Sequence, residues 1–131
     1  MADYFLDTSA FVKRYHPEAG TDKVLALSND PQNHIRISRL TLVETRSAFA
    51  VKVRTGHTRE GTASALWIQL LADLASGIFE VLPITNPHCA LAEELIGRYR
   101  FRYRLRTLDA LQVYASEQRT CCAASFGVAL E

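Results

Sequence analysis

Four short apolar runs are spaced along the chain, and each is separated from the next by stretches with helical patterning. The runs fall at Asp3 to Leu6, His34 to Ser38, Ile78 to Ile84 (interrupted by Pro83) and Cys121 to Ala124. They are short, the first three holding β-branched or aromatic residues and the last made of small ones, so they read as strands. Between them, helices are expected from Thr8 to about Tyr15, Glu18 to Ser28, Leu40 to about Arg54, and Thr58 or Thr62 to about Ala75. Two more are expected from Asn86-Pro87 to about Tyr99, with Asn86 as cap, and from Leu108 to about Gln118, capped by Thr107. Strands joined through helices pair in parallel and are covered on both faces. The expected fold is therefore α/β, a three-layer α/β/α sandwich with a mostly parallel central sheet. The 131 residues suffice for one such domain. The chain stops soon after its last strand, so a C-terminal helix and edge strand are expected to be missing or very short.

Composition narrows the functional classes. No apolar run approaches the roughly 18 residues of a membrane helix, and no signal-peptide pattern opens the chain, so a cytoplasmic protein without membrane attachment is expected. The three cysteines, Cys89, Cys121 and Cys122, are odd in number and irregular in spacing. That argues against a disulfide framework or a zinc site. His16, His34, His57 and His88 show no ligand-like pairing, and surface or loop roles are expected for them. Net charge is near +1, so nothing attracts nucleic acid globally. Locally, Arg98, Arg100, Arg102, Arg104 and Arg106 alternate with Tyr99, Phe101, Tyr103 and Leu105, a basic patch with aromatic interleaving.

Chemistry is suggested by three acids in apolar surroundings. Asp7 ends the first strand, at the edge where open α/β sheets bind ligands. Glu44 lies within a helix amid Leu40, Leu42, Val43, Ala48 and Phe49. Asp109 lies in the first turn of a later helix. Each has an ordinary structural reading: Asp7 as a helix cap, Glu44 paired with Arg39 or Arg46, Asp109 complementing a helix dipole for about 0.3–1 kcal/mol. Together they ask for more. Two like charges about 4 Å apart repel by roughly 4 kcal/mol at an effective dielectric near 20. A divalent cation offsets that, and hard carboxylate oxygens suit magnesium or manganese. Magnesium keeps several waters, which leaves room for a phosphate oxygen and an attacking water.

The segments Phe5-Leu6-Asp7-Thr8-Ser9-Ala10, Leu42-Val43-Glu44-Thr45 and Leu105-Arg106-Thr107-Leu108-Asp109-Ala110-Leu111-Gln112 resemble the three acidic motifs of PIN-domain ribonucleases. In order, spacing and length the chain is most similar to VapC-type toxins of bacterial toxin–antitoxin pairs. The resemblance implies a PIN-like fold, magnesium- or manganese-dependent endoribonuclease activity, homodimers, and inhibition by a cognate VapB-like antitoxin. It assigns Asp7 and Asp109 as principal metal ligands and Glu44 as the third acid, a ligand directly or through water. Thr8 matches the small hydroxyl residue beside the first acid. A fourth acid usually follows the last core strand; Ser125 stands there, which lowers the acidic charge by one and implies weaker metal binding or a single ion.

Arg102, Arg104 and Arg106 are expected to contact RNA, with Tyr99, Phe101 or Tyr103 available to stack on bases. Arg46 is placed to help neutralise the acids. Trp67, among Leu66, Ile68, Leu70 and Leu71, fits a core helix, a dimer interface or an antitoxin groove. A PIN-like module that binds RNA or a partner but cleaves poorly is the alternative. A receiver-like phosphoacceptor ranks below both, because no lysine follows Lys52.

Overall fold

A computed structural model describes residues 2–99, 102, 106–116 and 122–124; the statements below concern those residues, with side chains only up to residue 112. The chain runs β1 (Ala2–Leu6), α1 (Thr8–Tyr15), α2 (Thr21–Asn29), β2 (Asn33–Ser38), α3 (Arg39–Arg54), α4 (Glu60–Ala75), β3 (Phe79–Leu82), α5 (Asn86–Tyr99), α6 (Thr107–Ser116) and β4 (Cys122–Ala124). All three pairings are parallel, in the order β3-β2-β1-β4. Tyr4 sits opposite Ile35 on one side and Cys122 on the other. From β1 the chain builds outward through β2 to β3, then returns to the opposite side of β1 for β4. β1 is thus where the winding reverses, the place at which such sheets leave a crevice at their carboxyl ends.

Side chains alternate across each strand, so the sheet has two distinct faces. Leu6, Ile35, Ile37 and Phe79 form one core with Phe11 and Tyr15 of α1, Val24 of α2, Leu42 and Phe49 of α3, and Leu70 of α4. The Phe11 ring meets those of Tyr15 and Phe79 edge-on, at centroid distances of 5.4 and 5.1 Å. The opposite face carries Phe5, buried outside that cluster along with Ala92 of α5 and Ala110 of α6. On it Arg36 is buried and reaches Glu80 at 3.0 Å and Asp3 at 3.8 Å on the neighbouring strands. α5 and α6 pack on each other, and α6 reaches β2. Helices on both faces of a parallel sheet make the expected α/β/α sandwich.

The element ends differ from expectation for local reasons. α2 starts at Thr21 instead of Glu18, because Gly20 adopts φ +94° and Thr21 Oγ1 accepts the Glu18 N–H at 2.9 Å. Thr58 does not cap α4: its N–H, like that of His57, is bound to Lys52 O at the end of α3, beyond a Gly56 at φ +76°. α4 follows Arg59 instead. α5 begins at Asn86, so Thr85 precedes it; Cys89 N–H donates to Thr85 O at 3.2 Å. His88, expected at the surface, is buried, and its Nδ1 accepts the Thr85 N–H at 3.0 Å. This is the reciprocal bond that glutamate or glutamine supplies in a capping box. Likewise Thr107 lies inside α6, with Arg106 O accepting from Ala110 N–H.

α4 is pinned to the core by a buried polar cluster. Asp73 accepts from Tyr15 Oη at 2.8 Å, from Gln69 Nε2 at 2.9 Å and from Arg14 Nε at 3.4 Å. Arg14 also donates to Ser28 Oγ and Asn29 Oδ1, joining α1, α2 and α4. Burial, and then the bond to Asp73, push the Tyr15 hydroxyl pKa well up.

Candidate active site

Asp7 follows β1 directly and is the N-cap of α1. Its extended backbone lets Oδ1 accept the Ala10 N–H at 2.8 Å, while its carbonyl takes that of Phe11 at 2.9 Å. The ordinary reading of Asp7 as a cap is therefore true, and it occupies Oδ1 alone. Burial raises the Asp7 pKa above its ordinary value of 3.8. The Ala10 bond opposes this, the negative charge of Asp109 adds to it, and Lys13 opposes it again; the net direction is upward. Asp7 and Asp109 are therefore near enough for their charges to interact.

Asp109 occupies the first turn of α6, one turn after Arg106, whose Nε donates to Oδ2 at 3.1 Å. Arg106 is thus engaged with an acid of the site as well as exposed. Glu44, in the second turn of α3, accepts the Thr8 hydroxyl at 2.8 Å and Gln112 Nε2 at 3.0 Å. Both land on Oε1. No described residue bonds Oε2. Behind them Ser38 caps α3, accepting the Thr41 N–H at 3.2 Å and donating to Gln112 Oε1 at 2.7 Å.

The three acids thus stand around one end of the sheet, on α1, α3 and α6, in two linked parts. Asp7 feels the charge of Asp109, and Glu44 is tied to Thr8, the residue next to Asp7. Among the described residues no three acidic, histidine or cysteine side chains are gathered closely enough to cage a metal ion. A like-charged carboxylate pair, one member with a raised pKa, still fits a hard divalent ion whose remaining positions are filled by water.

Arg46 does not serve the acids. Its guanidinium lies over the Trp67 ring, 4.5 Å from the centroid. Both line a groove of about 610 Å³ between α3 and α4, with Leu42, Val43, Leu71 and Leu74 as apolar lining. Val43 is 62% exposed and Leu71 47%. Arg39 and Arg46 are the charged residues in its wall. The Trp67 helix is therefore neither fully core nor fully surface. Arg102 is exposed in a turn, its N–H on Tyr99 O, and Arg98 pairs with Glu94 at 2.9 Å. Arg104, Ser125, Arg100, Phe101, Tyr103 and Cys121 lie outside the described residues.

From sequence alone, Gln112, Thr41 and Ser38 have no assigned role. Gln112 sits one turn beyond Asp109 on the same helix face, between Leu111 and Val113. A carboxamide at an otherwise apolar position is the available signal.

Comparison with known proteins bears on the fold and the family. No curated protein sequence matches the chain. Among solved structures, VapC20 of Mycobacterium tuberculosis, a sarcin–ricin-loop-cleaving toxin, superposes with a TM-score of 0.70 at 20% identity, over 95% of this chain and 89% of that one. FitAcB of Neisseria gonorrhoeae gives 0.65 at 17% identity, over 93% and 86%. VapBC2 of Rickettsia felis, bound to a DNA fragment from their promoter, gives 0.57 at 16%, over 88% and 83%. At such identities the likeness shows the fold. The PIN domain model matches residues 4–127, a span that takes in Asp7, Glu44 and Asp109, and the chain belongs to the PIN domain family.

Proposed function

We propose that this protein is a magnesium- or manganese-dependent endoribonuclease, the toxin of a VapBC-like pair, acting as a homodimer in the cytoplasm and restrained by a VapB-like antitoxin. The observation that carries the reading is the placing of Asp7 at the carboxyl end of β1, where the winding of the sheet reverses, with Glu44 bonded to the neighbouring Thr8 and the charge of Asp109 near enough to raise the Asp7 pKa. Membership of the PIN family and the toxin identity of VapC20 support it. Asp7 and Asp109 would hold the ion, with Glu44 joining directly or through water. When bound, a divalent ion supplies Lewis acidity toward the phosphate and a place for the attacking water. The chain's own residues do the rest. Thr8 and Gln112 orient Glu44, and α1 holds Asp7 by its cap. Arg102, Arg104 and Arg106 lie in the chain leading to Asp109, suited to an RNA backbone.

The α3–α4 groove is the surface we assign to the antitoxin. Its apolar lining, with Arg39 and Arg46 as charged residues, suits an amphipathic helix flanked by acidic side chains.

The test incubates antitoxin-free protein with total RNA, comparing magnesium, manganese and EDTA, with Asp7→Asn alongside. Discrete metal-dependent fragments are expected. In Asp7→Asn they should fall by more than the about 100-fold that loss of an outer-shell partner costs. A second reading, a binding module that cleaves poorly, is favoured by the spacing of the acids, since among the described residues no three acidic, histidine or cysteine side chains are close enough to cage an ion. A folded protein that retains RNA without cutting it under either metal establishes that reading instead.

A further inference from the structure

We propose that Gln112 is a positioning residue of this site, fixing the rotation of the Glu44 carboxylate so that Oε2 is the oxygen turned free. The inference deepens the reading of the acids as an ion site and rests on it for its functional consequence, though not for its geometry.

The orientation of the carboxamide is set from behind. Ser38 Oγ accepts the Thr41 N–H as the cap of α3, so its proton goes to Gln112 Oε1 at 2.7 Å. Nε2 must then face the other way, toward Glu44 Oε1 at 3.0 Å, Thr41 Oγ1 at 2.9 Å and Thr8 Oγ1 at 3.2 Å. Reversing the amide would set Oε1 against the Glu44 carboxylate, acceptor on acceptor. Gln112 is 8% exposed, so water does not readily replace these bonds. Thr8 directs its own proton to the same Glu44 oxygen at 2.8 Å. Two donors on Oε1 define the plane of the carboxylate and leave Oε2 without a described partner.

The chemistry of the donors matters. A lysine or arginine in this place would hold Glu44 and cancel its charge. A hydroxyl and a carboxamide hold it and leave the full negative charge for a cation. One side chain thereby links α1, α3 and α6, which carry Asp7, Glu44 and Asp109.

The test measures Mn²⁺ binding to the antitoxin-free protein, without RNA, by electron paramagnetic resonance. Gln112→Met keeps length and removes both donors; it is expected to weaken binding about 10–100-fold, the range for outer-shell partners. In a Glu44→Gln background the same substitution should change binding little further, because nothing is left to position. A Gln112→Met that lowers Tm but leaves Mn²⁺ affinity unchanged, or that acts equally in both backgrounds, overturns the proposal. Side-chain amide NMR reads the geometry without metal. The Gln112 Nε2 protons should exchange slowly and shift in Glu44→Ala. If they exchange fast in the wild type the proposal fails, whether or not the variants fold. A wild type with protected Nε2 protons that binds no Mn²⁺ overturns the ion reading and leaves the positioning geometry standing.

Discussion

Asp7 serves two demands at once. Its Oδ1 closes the first turn of α1, and its burial next to Asp109 makes its charge unfavourable. A carboxyl whose folded pKa is raised contributes stability below its unfolded pKa and loses it as pH rises through the folded value. At neutral pH, ionised Asp7 therefore costs the metal-free protein stability. Asn caps as well as Asp does. Asp7→Asn should consequently raise Tm at neutral pH without metal, and the gain over wild type should vanish below about pH 3.8, as thermal melts across pH will show. A variant that gains stability while losing cleavage separates the two roles. Asp7 was legible in sequence because an acid at the end of an apolar strand has no reason in packing. Gln112 was not, because its partners are Ser38, Thr41, Thr8 and Glu44, and no local pattern places them beside it. His88 escaped for a related reason. A histidine accepting the Thr85 N–H takes a place usually filled by glutamate or glutamine, and the Asn86-Pro87 pair drew the cap one residue too far along.

At the level of elements, the long periodic segments were readable and their ends were not. α1 and α3 follow from apolar periodicity, with Asp7 before the first and Gly56 after the second. The starts of α2 and α4 depend on which backbone groups are already bound: Glu18 N–H by Thr21, Thr58 N–H by Lys52. α4 depends most on tertiary structure, since it stands partly away from the core and is held near its C-terminal end by Asp73. Asp73→Ala leaves the buried Tyr15 hydroxyl without its acceptor and Arg14 without its carboxylate, and should lower stability by about 1–3 kcal/mol in denaturant titrations. Asp73→Asn keeps oxygen and nitrogen near Tyr15 and Gln69 and should cost less. On the outer side of the same helix pair, Val43→Asp puts a charge in the groove at an exposed position. It should leave RNA cleavage intact while reducing neutralisation by the antitoxin in co-expression, if that partner lies between α3 and α4 as proposed.

For the molecule as a whole, a net charge near +1 leaves the proposed RNA binding to local cations. Replacing Arg102 and Arg104 by alanine should flatten the plot of log binding constant against log salt by about 0.7 for each phosphate of single-stranded RNA that is no longer neutralised. An unchanged slope removes these residues from the interface. The order β3-β2-β1-β4 was only half legible: alternation of strands and helices implies parallel pairing, but nothing local says that the last strand returns beside the first. That return has a consequence for synthesis. Thr8 and Gln112, bonded in the finished protein, are 104 residues apart, and β4 comes later still. A polypeptide still leaving the ribosome, or one ended by a premature stop before codon 109, carries Asp7 with no Asp109 to face it. On the proposed function, a copy that stops before residue 109 lacks one side of the ion site and is expected to cut no RNA.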